Sequence, residues 1–401
     1  MIHITLALKS PFIIAENRID NLLRSTDYIS GSVIRGALAH EYLKSKHKDN
    51  KELFHKFFLS GQVRFGNCYL GSERTSIVPA TARSCKNFSG FKEKKMDKEA
   101  PKHGVLDSLI RFYAYQDKLR KNEVDNSCLN FLEECEYCGS PTEHFTGFFG
   151  EIEQKGVKYE SHEPKKMVIT RTAIDENTMT AKEGTLFSNE LIIPPDQDKG
   201  LAFHGNIFVT EGLEDELVNF LSDNTSFSIG GERTYGYGQT EIEGIDIINK
   251  SVFPDTDLKS RLSSFNEKVK QFLPEEESLY FVLTLNADAI VIDSFMRFVS
   301  CLDDAILRQY FPTELSFKMV ESYCSTRIIK GWSNVHKLPK DNDLAIVKGS
   351  TFLFKTDKEI DEEELVTYLE NIEQTGIGER KIEGFGEVII CHPFHLEVNP
   401  I

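Results

Sequence analysis

The chain is short of basic charge, of long apolar runs and of any leader, and each shortage excludes a class of function. Lys and Arg number 47 against 63 Asp and Glu in 401 residues, a net charge of −16. Phosphate binding rests on clustered cations, so this balance excludes a protein that coats nucleic acid unspecifically. A local basic groove on an acidic body remains open. The field of such a body keeps random RNA away and favours basic protein partners. No apolar run approaches the ~20 residues of a membrane span, so no membrane association is expected. A basic-then-apolar leader is missing ahead of Ile2, which predicts a cytoplasmic protein. In such a protein the eight cysteines predict free thiols or a metal site in place of disulfides.

What is present reads as a soluble globular protein, with 40% hydrophobic and 27% charged residues. The length predicts two domains. Ile2, Ile4, Leu6 and Leu8 alternate with smaller or polar residues, the period of a half-buried strand. A loop is expected from Pro11 to Ile29. Ser30-Gly31-Ser32 then opens a helix carrying Ile34, Leu38 and Tyr42, with Ser32 as the N-cap. Residues 80–150 break the pattern and predict a partly mobile insertion, with a lysine patch (Lys92, Lys94, Lys95, Lys98), a helix from Val105 and a Cys-rich turn. Strands are expected at 167–174, 186–194 and 201–210, then an acidic-started helix at 213–221. Residues 251–277, with Pro254 and Pro274 around a polar helix, read as a connector. Strands follow near 279–285, 317–329 and 345–355, and a second acidic-started helix covers 361–370.

An internal repeat organises the chain. Ile229-Gly230-Gly231-Glu232-Arg233-Thr234-Tyr235-Gly236-Tyr237-Gly238 aligns without a gap to Ile377-Gly378-Glu379-Arg380-Lys381-Ile382-Glu383-Gly384-Phe385-Gly386. Each copy follows an acidic-started helix, the second through Gly376, and each opens a strand. A repeated strand, helix, Gly-loop and strand predicts a duplicated α+β domain. Glycines permit positive φ and close backbone approach, so N–H groups can form an anion-cradling nest. Arg233 and Lys381 share a register and supply a cation for phosphate. Tyr237 and Phe385 offer a face for base stacking, or else pack inward in a plain helix-to-strand turn. Dinucleotide and P-loop motifs have their glycines between a strand and a helix; here the order is reversed.

On these motifs the chain resembles the RAMP superfamily of CRISPR-associated proteins, whose hallmark is duplicated ferredoxin-like (RRM-like) halves with a Gly-rich loop before the last strand. Tyr28 to Leu38, with Ser30-Gly31-Ser32 and Arg35-Gly36-Ala37, looks like that superfamily's first-helix motif. Arg171-Thr172-Ala173-Ile174-Asp175, followed by Gly184-Thr185-Leu186-Phe187 and Glu190, resembles the central hairpin of type III members. Gly331-Trp332, Leu338-Pro339 and Gly349-Ser350 are similar to the type III-D subunit called Csx-ten. The resemblance implies ferredoxin-like domains at 1–250 and 278–401. It also implies a non-catalytic subunit that holds the 5′ handle of a guide RNA (crRNA) in an antiviral effector ribonucleoprotein. Other RAMP subunits and the large signalling subunit would be its partners. Ser32, Arg35 and Gly36 would face phosphate at a helix N-terminus. Arg171, Trp332 and the loops would extend the track: Gly230, Gly231, Arg233, Tyr235, Gly236, Tyr237 and Gly238 in one, Gly376, Gly378, Arg380, Lys381, Gly384, Phe385 and Gly386 in the other.

Cys135 and Cys138 form a Cys-x2-Cys knuckle followed by Gly139, the hairpin of structural zinc sites. Two more ligands are needed. Cys85 and His103 are the first choice, a pattern the related branch shares, and Cys128 and His144 are the substitutes. Four protein ligands predict a structural Zn2+ that replaces a core in an insertion of little apolar content. Cys68, Cys301, Cys324 and Cys391 read as core residues. Two other functions compete. Some relatives cut RNA with a loop aspartate or a first-helix histidine, for which Asp20, Asp27, His40 and His47 are available; Asp27 and His40 are the residues to test for an endoribonuclease. The net charge alone favours an RNA-free protein scaffold.

Overall fold

The computed structural model describes residues 1–71, 75–92, 102–122, 134–154, 157–195, 200–248, 256–311, 315–333, 338–357 and 361–401. Two antiparallel sheets dominate it. The first contains β1 (Ile2–Leu8), β2 (Val63–Gly71), β3 (Ala202–Val209), β4 (Ser226–Ser228) and β5 (Gln239–Ile247), in the order β4-β5-β1-β3-β2. The second contains β6 (Tyr280–Leu285), β7 (Phe317–Tyr323), β8 (Thr351–Thr356) and β9 (Val388–Ile390), in the order β7-β8-β6-β9. Leaving out the short β4, both sheets place their strands fourth, first, third, second. That order, with a helix after the first and third strands, is the ferredoxin-like arrangement. The helices of the first half are α1 (Gly31–Lys44) and α2 (Glu214–Asp223). In chain order α3 (Leu258–Phe272) comes between the strands of the first sheet and those of the second and packs on the second; α4 (Glu362–Thr375) belongs to the second half, where a single turn, Asp304–Leu307, stands in for the first helix.

The amphipathic patterns explain the layers. Ile2, Ile4, Leu6 and Leu8 of β1 meet Ile34, Leu38 and Tyr42 of α1 and Leu217, Phe220 and Leu221 of α2 in one core. Every residue of β6 is buried, as expected of a central strand covered on both faces. Burying each large side chain contributes about 1.5–3 kcal/mol. The three acids in the first turn of α2 and of α4 face the positive end of each helix dipole.

Four sequence expectations change. The segment after Pro11 is not all loop: Ala15–Ile19 and Leu22–Ser25 form a hairpin whose tip residue Asp20 has φ of 51°. The helix α3, read as a polar connector, buries Leu258, Leu262, Phe265 and Val269 in the second core. Val105–Asp107 is a strand, and the helix after it is Leu109–Arg120. The insertion has more apolar content in place than its composition suggested. Val78, Ala82, Phe91, Val105, Phe149, Tyr159 and Phe394 make a cluster of their own, and Leu109, Ile110, Tyr113 and Ala114 join the core of the second half. Lys94, Lys95 and Lys98 lie outside the described residues.

The insertion and the final residues are stitched together. The N–H of Val105 donates to the carbonyl of Ile401 at 3.1 Å, the N–H of Ile401 returns to Val105 at 3.0 Å, and the N–H of Asp107 donates to Glu397 at 2.7 Å. Beneath them His395 Nδ1 lies 3.1 Å from Asp107 Oδ2 and its Nε2 lies 2.8 Å from Thr284 Oγ1. The spacing is that of an Asp–His–hydroxyl triad. His395 and Asp107 are fully buried and Thr284 nearly so, which closes the group to any substrate. Its role is to join the insertion to β6.

Candidate nucleic-acid interface and metal centre

The two Gly-loops share one backbone path. Positive φ falls at Gly230, Glu232, Gly236 and Gly238 in one, and at Gly378, Arg380, Gly384 and Gly386 in the other. The N–H of Ile229 donates to Gly238 and that of Ile377 to Gly386, both at 2.9 Å. Each loop rests on the chain leaving its own first strand. Gly231 donates to Ile13 and Gly238 to Pro11, while Glu379 donates to Ile290 and Gly386 to Asp288. A Cβ at Gly238 would lie 1.9 Å from the Ile229 oxygen and one at Gly386 1.8 Å from the Ile377 oxygen. These glycines are there to close the turn. The N–H groups just named already have protein acceptors, so they are not the anion-cradling nest expected from the glycine spacing.

The loops differ in what they present. In the first, Arg233, Thr234, Tyr235 and Gly236 are exposed, Tyr235 at 67%. Arg171, at the end of the strand Lys166–Arg171, reaches across to it. Its Nη1 donates to Glu232 Oε2 at 2.8 Å and its Nη2 to the Tyr237 hydroxyl at 2.9 Å, and its guanidinium lies 4.4 Å from the Tyr235 ring centre. Tyr237 is thus a half-buried anchor, and Tyr235 carries the open aromatic face. Beside them a cleft of about 360 Å³ is lined by Arg18 and Asn21 of the first hairpin, Leu186 and Phe187 of the central hairpin, Asn189 and Glu232. Asn189 fixes the Glu232 carboxylate at 2.6 Å.

The second loop is packed against the first half. Gly384 meets Gly31 at the start of α1: a Cβ on Gly31 would sit 1.8 Å from the Phe65 oxygen and 3.0 Å from Gly384 Cα. The N–H of Gly31 donates to Asn67 Oδ1 at 2.9 Å. The N-cap of α1 is Ser30 and not the expected Ser32, which lies inside the helix; Ser30 Oγ lies 3.1 Å from Ser32 Oγ, and no side-chain cap bond forms. Arg35 is turned to the protein, donating to the Phe58 carbonyl at 2.9 Å and lying 3.5 Å from Glu383. Gly36 is exposed with open space where a side chain would stand. Arg380 pairs with Asp343 at 2.6 Å and with Glu383, and lies over Phe385 at 4.9 Å. Gly376, at the end of α4, is closed by the Gly386 oxygen. Trp332 opens a two-residue strand paired with Leu338–Pro339.

In the insertion, Cys85, His103, Cys135 and Cys138 bring one ligand atom each to within 4.8 Å of one another. Cys85 Sγ lies 3.6 Å from Cys138 Sγ, and His103 Nδ1 lies 3.3 Å from Cys135 Sγ. Tetrahedral zinc with bonds near 2.3 Å to sulfur needs ligand atoms about 3.7 Å apart, so the donor set fits a metal ion. The knuckle is folded by the N–H of Gly139 donating to Cys135 at 2.9 Å, with φ of 65° at Gly139. Ser140 hydrogen bonds pull the Cys138 thiol down to about 6, while burial pushes Cys85 up. His144 is exposed on a neighbouring strand, and Cys128 lies outside the described residues.

A family model described as the RAMP superfamily matches residues 5–241, more than half of the chain. The chain belongs to the RAMP superfamily. A second model, CRISPR-associated protein (Cas_Cmr3), matches residues 152–393. This RAMP protein thus also belongs to the CRISPR-associated family of that second model; the III-D branch suggested by Gly331-Trp332 is finer than either description. Among solved structures it is similar to a chain of "the Type III-B Cmr-beta bound to cognate target RNA", at 13% identity over 96% of each chain with a TM-score of 0.41. It is also similar to a chain of the Csm3-Csm4 subcomplex of the type III-A interference complex, at 13% identity over 89% of this chain and 93% of that one, TM-score 0.38. A third likeness is Thermus thermophilus Cas6, at 10% identity over 48% of this chain and 75% of that one, TM-score 0.28. No curated protein matches the sequence.

In this RAMP protein the residues weighed for RNA cutting are dispersed. Asp27 is held by Lys166 Nζ at 2.6 Å, Asp20 sits at the hairpin tip, His40 is exposed on α1, and His47 lies 3.5 Å from Asp223. Sequence reasoning missed Arg18, Asn189, Glu232 and Phe187 as one cleft, because three separate segments supply them. No helix among the described residues is long and apolar enough to cross a membrane.

Proposed function

We propose that this protein is a non-catalytic subunit of a type III CRISPR effector ribonucleoprotein that binds the 5′ handle of the guide RNA in the cytoplasm. The observation that carries the reading is the solvent-facing group around the first Gly-loop. Arg171 is clamped by Glu232 and Tyr237 and stacked on the open Tyr235 ring, next to Arg233 and a nucleotide-sized cleft. Clamped cations with open aromatic faces are what a single strand needs, phosphate neutralised and bases stacked. Membership in the RAMP superfamily and the match to the Cas_Cmr3 family support the same role. In that complex the partners would be other RAMP subunits and the large signalling subunit.

We further propose that Cys85, His103, Cys135 and Cys138 hold a structural Zn2+. Bound there, the ion would supply a closed four-ligand cross-link with no position left for water. Elemental analysis of the purified protein is expected to give one zinc per chain, and Cys138→Ser to lose it. Chelation should lower the melting temperature and open residues 85–145 to protease. Equal melting with and without metal would end this assignment.

The RNA role is tested by purifying the tagged protein from its host and sequencing what comes with it. Uniform short RNAs sharing one 5′ sequence are expected. Random fragments, or no RNA, would end the reading in favour of a protein scaffold.

A further inference from the structure

Each Gly-loop is tied to the hairpin beside it by an ion pair, and the two pairs run in opposite senses. In the first, the loop supplies the acid: Glu232 accepts from Arg171 of the strand Lys166–Arg171 at 2.8 Å. In the second, the loop supplies the base: Arg380 donates to Asp343 of the strand Asp343–Ile346 at 2.6 Å. Glu232 and Arg380 occupy the same place in the repeat, and both have φ of 52°. Either sign therefore holds a loop, so the clamp by itself does not call for a carboxylate at position 232. A carboxylate beside an RNA strand also repels its phosphates. Glu232 needs a reason of its own.

The cleft supplies one. Its wall joins Glu232 to Phe187 and Asn189 of the strand Phe187–Ile192 and to Arg18 of the strand Ala15–Ile19. Asn189 is 6% exposed, and its amide nitrogen donates to Glu232 Oε1 at 2.6 Å while Arg171 holds Oε2. Both carboxylate oxygens are thus fixed, and each has a lone pair left with which to accept. An ionised carboxylate only accepts. Among the four bases of RNA, guanine alone offers two donors side by side, N1–H and the 2-amino group. Adenine and cytosine present one amino group next to an acceptor nitrogen, and uracil one N–H between two carbonyls. A fixed pair of acceptors suits guanine and repels an atom of each of the others. Arg18 adds the complementary half. It is exposed, its Nε donates to the Asp20 carbonyl at 3.1 Å, and its two terminal nitrogens match guanine O6 and N7. The half-buried Phe187 ring gives a face on which a base can stack.

We propose that this cleft is a guanine-selective base pocket, in which Glu232 reads the N1–H and 2-amino edge of one unpaired guanine and Arg18 its O6 and N7 edge. The inference rests on the RNA-binding reading and adds base identity to it. Arg233 and Tyr235 hold any strand, whereas Glu232 and Arg18 choose among strands. It also makes the two loops unequal readers, because Arg380, at the matching place in the second, carries donors only.

The test uses the full chain and labelled oligouridine carrying one central guanosine, inosine, adenosine or cytidine. The wild type should bind the guanosine strand about tenfold more tightly than the adenosine or cytidine strand. Inosine, which lacks only the 2-amino group, should fall between them. Glu232→Gln and Arg18→Gln should each remove most of that preference, and Arg233→Gln should weaken all four strands alike. A Glu232 that merely clamps Arg171 predicts something else: Glu232→Gln weakens every strand equally and the guanosine preference survives. That result overturns the pocket. So does a wild type that binds all four strands equally, in which case the RNA role stands. If no strand binds, the RNA role fails, and the pocket is read from mononucleotides instead. A melting temperature raised by GMP and not by AMP, with no shift in Glu232→Gln, upholds it; equal shifts, or none, overturn it.

Discussion

Single positions in this protein separate closure from contact. Gly386 has φ of 73° and no room for a Cβ, whereas Gly36 sits in a helix with nothing within 4 Å. Gly386→Ala is expected to cost on the order of 3 kcal/mol by urea unfolding. Gly36→Ala should instead add about 0.5–1 kcal/mol, as in any exposed helix interior. If α1 lies along RNA, that stabilised variant will bind it more weakly. Tyr235 offers the complementary case. Being 67% exposed, it can become alanine with no change in melting temperature, while RNA affinity falls by about 1–3 kcal/mol in a fluorescence titration. The glycines could be found in the sequence because a tight turn demands them wherever it occurs. The setting of Arg64, over the Phe208 ring and beside Gly376 of the second half, could not, since an arginine in an alternating strand reads the same whether it faces water or protein.

At the scale of elements, α3 shows how a misleading composition arises. Its sequence is polar overall, yet it buries Arg261 and Asn266 along with four apolar residues. Arg261 Nη1 and Nη2 reach the two Glu373 oxygens at 2.9 and 2.8 Å, and Glu373 also accepts the Ile390 N–H at 2.7 Å. This pair ties α3 to α4 and β9. Removing one partner leaves a buried charge, so Glu373→Ala should destabilise the second half by about 3–5 kcal/mol. Arg261→Met with Glu373→Leu should recover most of that, read as the midpoint of chemical denaturation. A charged residue on a short amphipathic stretch looks like surface until its partner, 112 positions away, is seen. The first hairpin, by contrast, went unread because its strands are short and its outer one is exposed along its whole length.

For the molecule as a whole, the repeat and the central strands were legible, while β2 (Val63–Gly71) and the joints between parts were not. The repeat I-G-x-x-[RK]-x-x-G-[YF]-G sets both loops, and the alternation in β1 and the apolar run in β6 set both sheets. Arg327, which donates to Asp288 in its own half and to Glu16 and Tyr28 in the other, has no sequence signal, because complementarity across 311 residues leaves no local period. Acid should act elsewhere, where His392 packs on Phe149 of the insertion. His392 is fully buried and, through that burial, held well below its ordinary 6.5, so only the unfolded chain takes up its proton. Its contribution is complete above about 6.5 and is lost as pH falls below that value. Urea midpoints measured from pH 7.5 to 5 should decline for the wild type, and less steeply for His392→Gln.

The bonds between Val105 and Ile401 impose an order on biosynthesis. The insertion leaves the ribosome early, and the segment that seals its edge is translated roughly 300 residues later. At about 5–20 residues per second, the nascent Val105 edge waits on the order of tens of seconds for its partner. All four ligands of the proposed zinc site, from Cys85 to Cys138, are made well before Ile401, so zinc supply would act while the chain is still being made.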